Sequence, residues 1–408
     1  MTNLKSVVKD AGPVTEALYL ACFTCYVIFY YLQTTTFALR VPGALYAVLR
    51  GVLTAVVLFR LYTLRKGLPR GTAAAVAAFL GLGVFFLASR GDTMVLDAAL
   101  FTAGAYGVSF KRIGMLYVFT GCFISLLALI FSQTGYIPDY QFNTNFGDKF
   151  TFRHSLGIIY PTDCFAHIFY LAVTYFLIRW KRVTYIEIAA AEAVFAVFYY
   201  LTRARADMIA GTAMLLIILI LKITGFRELK IPAKVSKALA AVFMPVCAAV
   251  SVVTIMFYDE TVPWLNNIDA KLSYRLSLGK VGMELYGFKL LGNSNFAENG
   301  NANGGVRDYA YVFYDSAYVK YLYKYGIILL LVLFVVYALI GSKMVKSGMQ
   351  YGLLFIFLIA STYIIEHHML ELSYNITLLA LTADISTILQ SSHNINNKSN
   401  NGIITKTT

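Results

Sequence analysis

Arginine grips phosphate oxygens at two points and stays protonated while doing so. Four arginines of this chain, Arg153, Arg203, Arg205 and Arg275, lie apart from its other basic clusters. Arg153 opens Arg-His-Ser-Leu-Gly157, and Arg203 and Arg205 share the tight turn Thr-Arg-Ala-Arg-Ala-Asp207. In segment 271–292, Arg275, Gly279, Gly282, Tyr286 and Lys289 recur at spacings of four and three, which stacks them on one helical stripe. The neighbouring stripe, Tyr274, Leu278, Val281, Leu285 and Phe288, is apolar. This predicts an amphipathic helix at a membrane surface, greasy side down, with small and cationic residues turned toward a pocket that a ligand approaches closely. For any single arginine the plainer reading is a helix-end charge snorkelling to headgroups, and for Arg203 a pair with Asp207 four residues on. Three such places on one face weigh against coincidence.

Groups able to move a proton accompany them. His154 lies with Asp139 and Asp148 in one loop, Asp315 precedes a run of tyrosines, and Glu366, His367, His368 and Glu371 share a turn. His367 and Glu371, four apart, suit a shared metal, but a closed site takes about four ligands and the spacing positions no others. The expectation is a satisfied polar turn, with no metal and no cofactor. Tyr318 belongs to the tyrosine run, whose rings form an interfacial belt or stack on sugars.

The elements that must hold these residues are spans. The 408 residues are 59% hydrophobic and 13% charged, against about 25% charged in soluble chains, so the fold class is an all-α polytopic membrane protein. A net charge of +13 would suit nucleic acid, yet the basic excess falls in short turns on one side, and no nucleic-acid partner is expected. Apolar runs near spanning length number about 12: 15–38, 43–61, 72–89, 92–109, 113–132, 160–178, 183–202, 207–222, 237–257, 316–341, 350–365 and 372–390. A cytoplasmic N-terminus puts Arg65-Lys66-Arg70, Lys111-Arg112, Arg179-Lys181-Arg182, Lys222 to Lys237 and Lys343-Lys346 inside, which is the positive-inside pattern. Residues 1–390 then form a single transmembrane domain with external loops near 133–159 and 258–315, and 391–408 a disordered cytoplasmic tail. The five cysteines lie in apolar runs and imply neither zinc nor disulfides. Arg50 sits mid-span, where a charge costs about 2.5–3.5 kcal/mol and needs a partner.

The ordered set Arg153-His-Ser-Leu-Gly157, Pro161-Thr-Asp163, Thr202-Arg-Ala-Arg205, Tyr274-Arg-Leu-Ser-Leu-Gly279, Tyr286-Gly287, Leu291-Gly292, Tyr314-Asp-Ser-Ala-Tyr318, Tyr325-Gly326, Glu366 and Tyr374-Asn375 resembles bacterial polysaccharide repeat-unit polymerases of the O-antigen and capsule type, in the O-antigen ligase-like superfamily. The resemblance covers roughly residues 130–380. It departs at Thr162 and Asp163, where such proteins often carry Asn after the proline. The resemblance implies a metal-independent membrane glycosyltransferase that joins polyprenyl-diphosphate-linked oligosaccharides on the outer face of the bacterial plasma (inner) membrane. Arg275, Arg205 and Arg203 would neutralise the leaving diphosphate, and Glu366, His154 or Asp315 would serve as base. Arg153, Gly279, Gly282, Tyr286, Lys289 and Tyr318 would bind substrate. Membrane lipids, a chain-length regulator and a flippase are the implied partners. The competing readings are a lipid-linked oligosaccharide flippase or polysaccharide transporter, and an O-antigen ligase-type transferase.

Overall fold

The computed structural model describes residues 2–37, 42–64, 68–146, 149–226, 231–299 and 312–389. The expected tail 391–408, Asp148 and part 300–311 of the late loop lie outside the described residues. Helices dominate because a chain in hydrocarbon must satisfy its own backbone hydrogen bonds. They are α1 (Thr2–Gln33), α2 (Gly43–Thr63), α3 (Arg70–Arg90), α4 (Met94–Gly104), α5 (Phe110–Gln133), α6 (Pro161–Arg179), α7 (Tyr185–Thr202), α8 (Arg205–Ile223), α9 (Ala233–Met256), α10 (Pro263–Lys271), α11 (Arg275–Tyr286), α12 (Ala317–Lys324), α13 (Ile327–Lys346) and α14 (Gly352–Thr362). Among the described residues, nine are long and apolar enough to cross a membrane: α1, α2, α3, α5 to α9 and α13. This is a multi-pass membrane protein. The apolar α4 and α14 have 11 residues each and are too short to span as straight helices.

Two expectations need correction, and one loop gains detail. The run 372–390 is not a spanning helix: it is turns around a short 3-10 segment, Thr377–Leu381. Its residues from Met369 to Leu381 are almost all buried, so protein rather than lipid surrounds the irregular backbone, the condition under which such backbone is tolerated at membrane depth. Polar side chains bond it. Asn375 Oδ1 accepts from the Thr377 N–H at 2.9 Å and hydroxyl at 2.6 Å, and the Lys343 ammonium donates to the carbonyls of Ala380, Leu381 and Ala383. The run 316–341 breaks into α12 and α13 at Gly326, whose φ is +87°. A Cβ there would stand 2.2 Å from the Gly292 nitrogen, so both glycines are required for the late loop to dock on this break. Lastly, loop 133–159 holds a hairpin, β1 (Gln141–Phe146) paired antiparallel with β2 (Lys149–His154), Phe142 opposite Arg153.

Arg50 finds the partner that its depth requires. Its Nε lies 3.0 Å from Oδ1 of Asp97 on α4, and Tyr30 donates to the other carboxylate oxygen at 2.9 Å.

Candidate functional site

A cavity of about 570 Å³ opens between α8 and α14, closed off by the first turn of α6, the α7–α8 turn, β2 and the α10–α11 turn. Its lining includes Arg153, Arg203, Arg205, Arg275, Asp207 and Glu366. All four singled-out arginines, scattered over 120 positions of sequence, therefore meet at one place.

Local structure aims each one. Arg153 leaves β2 and its Nε donates to the Thr202 carbonyl at 2.8 Å, tying the hairpin to the end of α7. Arg203 caps α7 in the left-handed region, φ 55°, with its guanidinium 4.9 Å from the Tyr200 ring centre. Arg205 begins α8. Arg275 begins α11 just after Ser273 and Tyr274, which also have positive φ, 59° and 64°. Left-handed backbone costs a non-glycine residue roughly 1–2 kcal/mol, and strain of this kind concentrates at binding sites. The buried Asp269 carboxylate offsets it by accepting from the N–H groups of Leu276, at 2.7 Å, and Ser277, at 3.3 Å.

The remaining expected site residues are placed elsewhere. Asp315 pairs with Arg275, Oδ2 to guanidinium 2.9 Å, and so positions that arginine. His154 points to the other side of β2 from Arg153; its Nδ1 lies 2.6 Å from Asp139 Oδ2. Gly279 and Gly282 leave no room for a ligand: an added Cβ would stand 2.5 Å from Ile255 and 2.6 Å from Tyr314 and Tyr323. They are packing contacts of α11. Tyr286 exchanges hydrogen bonds with the Ala297 backbone, and the Lys289 carbonyl accepts from the Ile327 N–H at 3.0 Å. Tyr318 is buried and donates to the Ala360 carbonyl at 2.8 Å, so its ring offers sugars no face. Of that stripe, Arg275 alone lines the cavity, while the apolar stripe (Tyr274, Val281, Leu285, Phe288) is exposed as expected.

Sequence reading missed a second group behind the cavity wall. Asp207 does not pair with Arg203; it is buried, and among the described residues neither carboxylate oxygen has a hydrogen-bond partner. The 366–371 turn is not self-satisfied either. His368 Nδ1 meets Glu371 Oε2 at 3.2 Å, while its Nε2 lies 3.7 Å from Glu366 Oε2 and 3.8 Å from Asp163 Oδ1, too far for hydrogen bonds. The His368 ring is clamped in a column, stacked on Tyr374 at 3.6 Å, with His167 and Tyr31 beyond at 3.7 and 3.8 Å. Burial first, then the Asp207 charge, push the Glu366 carboxyl well above its ordinary value against the pull of Arg275. Burial opposes charge on His368, yet Glu371 and Asp163 hold its imidazole above the usual range. Burial and the His368 charge push His367 well below it. Glu371 is lowered in spite of burial, by His368. The signal for this group was faint in sequence, because Asp163 and Asp207 sit in first helical turns, where a carboxylate ordinarily just complements the helix dipole.

A cationic rim facing a wall of carboxylates and imidazole suits binding an anionic leaving group beside a group that takes a proton. The chain matches no family model, no curated protein and no solved structure.

Proposed function

We propose that the protein is a membrane glycosyltransferase that polymerises polyprenyl-diphosphate-linked oligosaccharide repeat units into capsular, O-antigen or exopolysaccharide. The observation that carries this reading is the convergence of Arg153, Arg203, Arg205 and Arg275, from three separate stretches of chain, on one cavity that Glu366 also lines. In the reaction, an acceptor sugar hydroxyl forms a bond to the anomeric carbon of the donor. The bond from that carbon to the diphosphate breaks, its electron pair leaves with the diphosphate, and the hydroxyl proton passes to Glu366 or Asp207. Guanidinium groups neutralise the charge that develops on the leaving oxygens. Asp315 holds Arg275 in register, and His154, turned away, takes no part.

The same reading implies a topology. The helix ends opposite the cavity carry Lys111, Arg112, Arg179, Lys181, Arg182, Lys222, Lys343 and Lys346, so the cavity opens on the outer face of the bacterial plasma membrane and both termini are cytoplasmic. Segment 372–389 then crosses as irregular, protein-covered backbone. A flippase would be expected to build its polar cavity from mid-span residues of both halves, whereas this cavity is at helix ends. The test is the lipid-linked pool of cells lacking the gene. Single repeat units should accumulate on the outer leaflet, unpolymerised; accumulation confined to the cytoplasmic leaflet would support the flippase instead.

A further inference from the structure

We propose that Glu366, His367 and His368 form a binding site for one divalent transition-metal ion at the wall of the arginine-lined cavity. One ligand atom from each of the three lies within 4.8 Å of the others. Binding of the ion does not depend on the glycan reading.

The spacing decides between two accounts of His368. Its Nδ1 faces Glu371 at 3.2 Å, so in the neutral ring that an ion would bind, Nδ1 carries the hydrogen and Nε2 the lone pair. That nitrogen is fully enclosed, in a residue 1% exposed, and has no hydrogen-bond partner among the described residues. It points between two carboxylate oxygens 3.7 and 3.8 Å away. Hydrogen bonds would draw them to about 2.7–3.2 Å. Two ligands each about 2.1 Å from a common ion and tetrahedrally arranged stand roughly 3.4 Å from one another. The 3.7 Å gap between His368 Nε2 and Glu366 is too long for a hydrogen bond and within a few tenths of an ångström of the separation of two ligands on one ion.

The surroundings agree. His367 Nδ1 is likewise enclosed and unpartnered, and its other nitrogen lies 4.0 Å from Glu371. Glu371 thus backs the His368 imidazole, as the outer carboxylate does for metal-bound histidines elsewhere. Oxygens of Asp163, Glu366 and Glu371 stand 3.8, 3.7 and 3.2 Å from the His368 ring nitrogens, so acidic oxygen donors surround that imidazole. The column of Tyr374, His167 and Tyr31 holds the ring before any ion arrives. Two imidazoles and a carboxylate favour zinc over magnesium or manganese. Glu366 reaches the cavity, so open coordination positions would face it.

The test uses purified full-length protein stripped with chelator and titrated with Zn2+ alone. Expected is one ion per chain, binding weakened at least about 100-fold by His368→Gln and about 10- to 100-fold by Glu371→Gln, with elution from size exclusion unchanged. His154→Ala, which removes a half-buried imidazole outside the cluster, should leave binding intact. Zinc-edge X-ray absorption of the wild-type protein needs no variant and should show two imidazoles. Substoichiometric zinc, binding indifferent to His368→Gln, or a shell with fewer than two imidazoles would overturn the site without touching the polymerase reading.

Discussion

Arg275 is held at two points, by the Asp315 carboxylate at 2.9 Å and by the Leu272 carbonyl at 3.1 Å. A lysine keeps the charge but not the fork. Arg275→Lys is therefore expected to lower polymerisation at least tenfold, about 1.4 kcal/mol in barrier, at unchanged expression, and Arg205→Lys to show a milder defect. Glycan length on gels, at matched protein level, checks both. Normal-length polymer from Arg275→Lys would make the residue a headgroup anchor, for which a long cationic stem suffices. Gly282→Ala belongs to a different mechanism: its Cβ would press on Tyr314 and Tyr323. The expected outcome is a loss of roughly 1–3 kcal/mol of stability, read as reduced yield of folded protein in detergent. The arginines were legible in sequence because isolated cations stand out beside apolar runs. The role of the glycines was misread because small residues at helical spacing look the same whether they admit a ligand or a neighbouring aromatic ring.

Among elements, the long helices were legible because hydrocarbon sets their length and composition. Segment 372–390 was misread for the same reason: apolar content reports burial, and burial under protein leaves the backbone free to be irregular where Asn375, Thr377 and Lys343 bond it. The α2–α4 contact is where a single pair matters most. Arg50→Leu strands the buried Asp97 carboxylate, at a cost of about 3–5 kcal/mol, Asp97→Leu leaves a half-buried Arg50 and costs less, and replacing both with apolar residues of similar size is close to neutral. Arg50→Leu and Asp97→Leu should each lower the unfolding midpoint in detergent, and the double variant should recover most of it. Additive losses would show that the two charges do not depend on one another.

For the whole molecule, the cavity and the basic helix ends lie at opposite ends of the bundle, which ties orientation to function. A cysteine at Glu284, exposed on α11, should react with an impermeant maleimide in intact spheroplasts, and one at Ser347 only after lysis. The reverse pattern would place the arginine cavity in the cytoplasm. The most direct measurement of the central claim supplies purified protein, in lipid nanodiscs, with lipid-linked repeat units and neither nucleotide sugar nor ATP. The diphosphate is already a competent leaving group, so a ladder of longer lipid-linked glycans should form, with one polyprenyl diphosphate released per bond made. Units that stay single, with no polyprenyl diphosphate released, would contradict the account.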